Sequence, residues 1–324
     1  MKDSVFVPSK IHFQGLFGIF ADSLLDAWGQ LLLERLLKKK KIDGLNVINR
    51  LAIVGDSGKG ALEYKPDMKF LTDVQIQNLD FLANECKKIL ETEYSNQIDQ
   101  LYLLGGTSGG AIPKILTEID GKEFIIKFPS HVDQNNIGLM EYDYSICAKK
   151  CGIDIPYTKL FSSNQCKGYF GIERFDRVNG KKIHMATVAA LLELDYRQPN
   201  LDYNTLMKLT NILTHDNVSE IEQMYRRMCF NVFAHNQDDH SKNFSFLFDE
   251  KKRIWKLSPA YDLTYSHTYY GEHTTTVDGN GVNPGIHELI SVGQKAGLSK
   301  KSCLTIAKEI EEKVNLDLKK YLIK

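Results

Sequence analysis

The 324-residue sequence predicts an α+β chain in which strands and helices mix through the front half and helices dominate the back. Three observations carry that reading. A glycine-rich stretch, Gly105-Gly106-Thr107-Ser108-Gly109-Gly110, is followed after a short spacer by a strand-like Phe124-Ile125-Ile126-Lys127-Phe128. From residue 184 onward apolar residues recur at the helical period, with Ile221, Met224, Tyr225, Met228 and Val232 forming one stripe. Between that last helix and a strand-like Phe244-Ser245-Phe246-Leu247-Phe248 lies a dense polar stretch, His235-Asn236-Gln237-Asp238-Asp239-His240-Ser241-Lys242-Asn243.

Composition sets limits on function. Apolar residues are 43% and charged residues 25%, ordinary for a globular chain with ample core. Lys+Arg and Asp+Glu are each 41, so the net charge of zero gives no support to a large nucleic-acid footprint, and no direct nucleic-acid binding is expected. No run approaches the roughly 18 apolar residues of a membrane helix. Met1-Lys2-Asp3-Ser4 lacks the form of a signal peptide, so a cytoplasmic protein without a membrane partner is expected. The six cysteines, at 86, 147, 151, 166, 229 and 303, include no C-x-x-C pair and read as buried free thiols.

In chain order, Asp22-Ser23 offers an N-cap for a helix with Leu24, Leu25, Trp28, Leu31, Leu32 and Leu36 on its apolar stripe. Lys38 to Lys41 close it, where cations complement the carbonyl end and remain solvated. Leu51 to Val54, Gly55 to Gly60 and Ala61 to Tyr64 read as strand, glycine-rich turn and strand. Lys59 there is followed by Gly60 and not by Ser or Thr, so a structural hairpin is expected in place of a phosphate loop. Residues 67–100 show a helical period through Val74, Ile76, Leu79, Leu82, Cys86 and Ile89, and Ile98 to Leu104 reads as a strand entering the glycine-rich loop. Glycines at 105, 106, 109 and 110 let the backbone turn sharply and bring amides near phosphate oxygens. The loop matches neither a P-loop nor a dinucleotide-binding pattern.

Gly121 turns the chain into the strand bearing Lys127, which is either buried against an opposite charge or the exposed member of an edge strand next to Pro129. The next helix carries Met140, Tyr144, Cys147 and Cys151 inward, with Glu141 beside that stripe, either paired with Lys127 or solvated. Tyr169 to Ile172 forms a strand that runs into Glu173-Arg174-Phe175-Asp176-Arg177. Such a strand-to-linker hinge suits an adenine ring, or else carries an ion-pair ladder. Helices follow over Thr187–Leu194, Tyr203–Leu213 and Ser219–His235. Residues 270–287 form a glycine-bearing polar segment that could meet a substrate, and Ser299 caps a last helix with Cys303, Ile306, Ile310 and Val314 inward.

The polar stretch at 235–243 points to chemistry. Phosphoryl transfer needs a carboxylate to orient a hydroxyl, and an amide oxygen with a second carboxylate to hold magnesium. Asp238, Asn243 five positions on, and Asp262 after a strand-turn-strand interval have that form. Two other readings stand beside it: a solvated polar turn, and a transition-metal nuclease site built from His235, Asp238, Asp239 and His240.

Asn236 to Phe244 resembles the catalytic loop of the HipA family, the bacterial toxin kinases of type II toxin-antitoxin modules, and Pro259-Ala260-Tyr261-Asp262 resembles its metal-binding segment. The glycine-rich loop, Ile126-Lys127-Phe128-Pro129, Met140-Glu141-Tyr142, Glu173 to Arg177 and Phe20 to Gly29 extend the resemblance over roughly residues 20–290. It implies a two-lobed protein kinase-like fold, a mixed α/β lobe over 1–177 and a mainly helical lobe over 178–324, with ATP and Mg2+ between them. Within the first lobe, 1–100 resembles a shortened HipA N-terminal region, and 101–177 holds the loop, the lysine strand and the hinge. By matched position the resemblance implies Asp238 as the catalytic carboxylate with His240 in support. Asn243 and Asp262 would hold the metal, Lys127 would meet the α/β phosphates with Glu141 as its partner, Gly106, Thr107, Ser108, Gly109 and Gly110 would cover them, and Glu173 and Phe175 would lie near adenine.

The family phosphorylates protein hydroxyls, aminoacyl-tRNA synthetases among them, and silences itself by autophosphorylating the glycine-rich loop, which makes Thr107 and Ser108 candidates. It also implies a HipB-like DNA-binding antitoxin and a small protein resembling the missing N-terminal strands. A small-molecule or lipid kinase of related fold, or a nucleotide-binding protein without transfer activity, remain the alternatives.

Overall fold

A computed structural model of the chain describes residues 8, 10–68, 78–107, 109–130, 136–268 and 270–322. Its front sheet has four antiparallel strands in the spatial order Lys114–Ile119, Lys122–Lys127, Tyr169–Glu173, Thr158–Phe161. The first two are joined at Asp120-Gly121, where φ is 51° and 74°, the pair of positive angles that a two-residue hairpin requires and that Asp-Gly supplies with little strain. Register then places Lys127 opposite Lys114 at the end of the hairpin beneath the glycine-rich loop.

Helices cover this sheet on one side. Ala27–Lys40 buries Trp28, Leu32, Leu33 and Leu36, and these pack with Ile115, Phe124, Ile126 and Phe128 in one core. Its start differs from the expected Asp22-Ser23 cap. Asp26 is the N-cap, and its carboxylate makes no bond within its own helix, because it is turned toward the glycine-rich loop and toward Lys242. Lys39 of the terminal lysine run pairs with Asp99.

Two expected strands are helices. Leu51 to Val54 lies in the helix Val47–Val54, capped by Asn46 Oδ1 accepting from the Asn49 N–H at 2.9 Å. Leu51, Ala52, Ile53 and Val54 are all buried, and a four-residue apolar run buried on every side has no period by which helix and strand can be told apart. Ile98 to Leu104 lies in the helix Ile98–Gly105, whose buried Ile98, Leu101 and Tyr102 follow the i, i+3, i+4 spacing against the Ala27–Lys40 helix. In the 67–100 region the described helix is Leu79–Leu90, and Val74 and Ile76 lie outside the described residues.

A second, larger core is built by Tyr203–Leu213, Val218–Phe233, Ile286–Lys295 and Lys300–Asp317, with Tyr225, Met228, Phe230, Cys303 and Ile310 at its centre. The 187–194 region holds a single turn, Val188–Leu191, capped by Thr187. Ser299 caps the last long helix as expected, and Val218–Phe233 runs straight into the polar loop at 235–243. A three-stranded sheet, Ile254–Leu257, Ser245–Asp249 and Met185–Thr187, fixes the chain on either side of that loop. All six cysteines are free and all but Cys166 are buried. Among the described residues no helix is long and apolar enough to cross a membrane.

Candidate active site

A cleft of about 310 Å3 lies between the front sheet and the helical core. Gly109, Gly110, Lys127, Asp238, Asn243 and Asp262, taken from four separate stretches of sequence, all line it. Thr107, Glu173, Phe175 and His240 line it too, whereas Ser108 lies outside the described residues. Gly106 sits at the C-cap of the Ile98–Gly105 helix, just behind the loop.

Lys127 is the electrostatic centre of the cleft. Its ammonium is buried, and it pairs with Glu141 from the following helix and with Asp262 Oδ1 at 2.5 Å. Burial alone lowers an ammonium pKa, but the two carboxylates outweigh it, so Lys127 is held above its ordinary value and stays charged. Glu141 is 5% exposed, which excludes the solvated helix-face reading of that residue. Asp262 experiences the reverse balance. Burial raises its pKa, yet Lys127 and Lys114 pull it down to about 2, so it is ionised. Its φ of 53° lies in the left-handed region, which Asp tolerates better than most side chains and which aims the carboxylate back toward Lys127.

Adjacent aspartates on the polar loop have opposite surroundings. The Asp238 side chain is 62% exposed to the cleft, with His240 Nε2 at 4.0 Å its nearest ionic neighbour. The surrounding walls raise its pKa; His240 opposes this, and Asp262 and Asp239 add to it. Its backbone N–H donates to Ser266 Oγ at 2.9 Å. Asp239 has no exposed surface, and it accepts from Tyr203 Oη at 2.9 Å, from the Thr275 N–H at 3.0 Å, and pairs with His273 Nδ1 at 3.2 Å. The loop is thereby bonded to segment 266–276, so that Asp238 projects from a fixed backbone. His235, Asp238, Asp239 and His240 do not converge. Among the described residues no three His, Cys, Asp or Glu side chains form a cluster that could hold a metal, which argues against the nuclease arrangement.

The Asn243 amide nitrogen donates to the Asp238 carbonyl at 2.7 Å, which commits the nitrogen and turns the oxygen outward. An amide oxygen and an ionised carboxylate are the hard donors that Mg2+ takes when it keeps its remaining positions for water and phosphate, so Asn243 and Asp262 fit that ion. At the hinge, Phe175 lies against the Tyr261 ring at 5.5 Å, and Glu173 pairs with Lys122 at 2.9 Å. Arg174 pairs with Asp176 at 2.9 Å and Glu123 at 3.4 Å, so the charged hinge residues do form an ion-pair ladder while Glu173 and Phe175 also face the cleft.

Asp26 and Lys114 were not singled out in the sequence, and Lys59 was set aside there as part of a structural turn. Asp26, 84 positions before Gly110, accepts from its N–H at 2.9 Å, and it pairs with Lys242 across 216 positions. The Gly110 amide thus faces a protein carboxylate, and its carbonyl accepts from the Trp28 N–H at 3.2 Å. Gly110 adopts φ 86°, a conformation that favours glycine, and Gly109 approaches so near that a Cβ there would stand 3.1 Å from Asp26 Oδ2 and 3.2 Å from Lys59 Nζ. Lys114 is 6% exposed, donates to the Gly109 carbonyl, and is pushed down to about 8 by burial and by Lys127, against the pull of Asp262 and Glu141. Lys59 comes from the turn expected to be only structural. Asp26 and Lys59 have no local signature, since the contacts that give them meaning exist only after folding. Lys114 followed the glycine-rich loop directly, and its register opposite Lys127 was the signal available.

The chain is 27% identical over 225 residues to "Putative kinase Y4dM" of Sinorhizobium fredii, a match covering 63% of this chain and 53% of that protein. It is 25% identical over 134 residues to a "Putative kinase" of Haemophilus influenzae, 37% of this chain and 39% of that one. The chain therefore spans about half the length, or less, of these curated relatives. Among solved structures the HipA chain of Shewanella oneidensis MR-1, determined in a complex of HipA, HipB and operator DNA, superposes with a TM-score of 0.66 at 18% identity, covering 89% of this chain and 75% of that one. This establishes the fold as the α+β, two-lobed HipA-like one. The family model for the "HipA-like C-terminal domain" matches residues 106–317, from the glycine-rich loop to the last long helix, and the chain belongs to that family.

Proposed function

We propose that this chain is an ATP- and Mg2+-dependent serine/threonine protein kinase. The observation that carries the proposal is the double pairing of buried Lys127 with Glu141 and Asp262 in a cleft that also presents exposed Asp238 and Asn243. Lys127 would meet the α/β phosphates, Gly109 and Gly110 would lie over them, and Glu173 and Phe175 would border adenine. Asn243 and Asp262 would hold Mg2+, which when bound neutralises charge on the phosphates.

Asp238 has the properties of the group that orients the acceptor hydroxyl. It is open to the cleft, backed by Asp239, and raised above an ordinary carboxylate, which makes it a better proton acceptor. As the hydroxyl oxygen bonds to the γ-phosphorus, the bond to the departing ADP breaks and the hydroxyl proton passes to Asp238. His240 Nδ1 accepts from the Lys242 N–H at 3.3 Å, so a neutral ring carries its proton on Nε2, toward Asp238.

The biological reading rests on the family. We infer a toxin of a HipBA- or HipBST-like module, held by a HipB-like DNA-binding antitoxin and by a small protein resembling the N-terminal strands. The inferred substrate is an aminoacyl-tRNA synthetase, whose phosphorylation halts translation, in the cytoplasm. Self-modification at Thr107 or Ser108 would place negative charge where ATP phosphates belong.

The test incubates purified wild type and Asp238→Asn with radiolabelled γ-phosphate ATP and Mg2+, followed by phosphopeptide mapping. Label on the peptide spanning residues 105–114 in wild type alone is the expected result, with loss of that label in the Thr107→Ala, Ser108→Ala double variant. Persistence of the loop label in the double variant overturns the site of modification; no label on the chain or on an added panel of synthetases overturns the protein-kinase reading.

A further inference from the structure

Four lysines, Lys59, Lys114, Lys127 and Lys242, line the cleft, and they differ in how far each is already committed. Lys127 is held by Glu141 and by Asp262 at 2.5 Å. Lys242 is paired with Asp26 and stacked over the Tyr196 ring at 4.3 Å. Lys114 donates to the Gly109 carbonyl, and with a pKa of about 8 its ammonium is the most readily discharged of the set.

Lys59 is different. Its two ion pairs, with Asp22 Oδ1 and Asp26 Oδ2, are both at 3.9 Å, beyond hydrogen-bond distance, and its side chain is 25% exposed. Burial disfavours the charge, but Asp22, Asp26, Asp176 and Asp262 together outweigh it and raise its pKa, so the ammonium is charged, and among the described residues it has no hydrogen-bond partner. It lies directly under the glycine-rich loop, where a Cβ on Gly109 would be 3.2 Å from Nζ.

Its placement is built, not incidental. Arg177 at the end of the hinge donates to the carbonyls of Gly58 at 2.7 Å and Gly60 at 3.0 Å, and the Gly60 N–H donates to Asp176 Oδ2 at 2.8 Å. Backbone groups on both sides of Lys59 are thus fixed by two hinge residues, leaving its side chain to enter the cleft. Lys59 and its turn lie before residue 106, outside the stretch that matches the family model, whereas the hinge residues that fix them lie within it.

We propose that Lys59 is a phosphate-binding residue of the nucleotide site, contributed by the N-terminal region. This deepens the kinase reading and rests on it. A polyanion entering beneath Gly109 meets three ammoniums already bonded to protein oxygens and one, Lys59, with donors to spare. A charge-assisted hydrogen bond from Lys59 to a phosphate oxygen replaces two long, weak pairings, and the carboxylates of Asp22 and Asp26 keep the lysine charged until the phosphate arrives.

The test is calorimetric titration of the full chain with ATP and, separately, adenosine, both with Mg2+. The variants are Lys59→Met, which keeps the apolar stem, and Lys59→Arg, which keeps the charge. Loss of one charge-assisted hydrogen bond predicts ATP binding weakened about 10- to 100-fold in Lys59→Met, with adenosine binding unchanged. Lys59→Arg is expected within about 5-fold of wild type for ATP, the smaller loss of a charge kept but repositioned. ATP affinity retained in Lys59→Met overturns the assignment while leaving the kinase reading intact. Equal losses for ATP and adenosine also overturn it, by showing that Lys59 serves the hinge turn. Wild type that binds neither ligand overturns the nucleotide site itself, and this assignment with it.

Discussion

Replacing Asp239 by Ala and Asp238 by Asn separates structure from chemistry at neighbouring positions. Asp239→Ala leaves Tyr203 Oη, the Thr275 N–H and His273 without an acceptor in a site with no exposed surface. Each stranded donor costs on the order of 1–3 kcal/mol, and His273 can shift its tautomer to lessen its share, so a total of about 3–5 kcal/mol is expected. Asp238 offers its fold nothing comparable: its side chain is 62% exposed, its nearest ionic contact is 4.0 Å away, and its pKa is raised, so the fold disfavours its charge. Asp238→Asn should therefore be neutral or stabilising by a few tenths of a kcal/mol while abolishing phosphoryl transfer, as is common where a site is kept unfavourable for function. The assay is equilibrium urea denaturation followed by circular dichroism, with the slopes compared to confirm that the same transition is measured. A loss below about 1 kcal/mol for Asp239→Ala, or equal losses for both variants, would refute the division of roles.

Three further outcomes follow from the same geometry. Glu141→Gln removes one of the two carboxylates on Lys127, and because Asp262 remains, the cost should be about 2 kcal/mol, less than for a fully orphaned buried charge; a thermal melt reads it, and label transfer from ATP should fall at least about tenfold as Lys127 loses the partner that holds it from the helix side. Asp262 is held down to about 2 against an ordinary value near 3.8, so its stabilising contribution is complete above about pH 4 and is lost as pH falls toward 2; in acid titrations Asp262→Asn should lack that part of the pH dependence. Gly110→Ala puts a Cβ on a residue at φ 86°, next to the Lys114 ammonium, and should destabilise by about 1–2 kcal/mol, with weaker ATP binding measured on the same sample.

What could be read from the sequence was what sequence keeps local. Asp238, Asn243 and Asp262 fall on a short loop and the segment that follows its hairpin, and Lys127 and Glu141 are only 14 positions apart, so local pattern together with the family resemblance brought them into consideration. The mainly helical back half was legible because long amphipathic helices such as Val218–Phe233 declare their period. Short buried helices did not: Val47–Val54 and Ile98–Gly105 are apolar in runs that suit a strand equally well, and only packing against Trp28 and its neighbours decides between them. Asp26 and Lys59 were illegible for a different reason. An acid near a helix start has an ordinary local explanation, as a cap, and a lysine in a glycine turn has one as a solvated bend; the tertiary contacts that displace those explanations span 84 and 216 residues for Asp26 and join Lys59 to a hinge more than 100 residues away.

The Asp26 carboxylate touches the glycine-rich loop through Gly110 and the polar loop through Lys242, and so couples two parts that otherwise belong to opposite walls of the cleft. In mechanical terms it is a pivot pin set in a third body, the Ala27–Lys40 helix. Displacing that helix by an ångström or two would release Gly110 and Lys242 together, opening the roof and unseating the floor in a single movement.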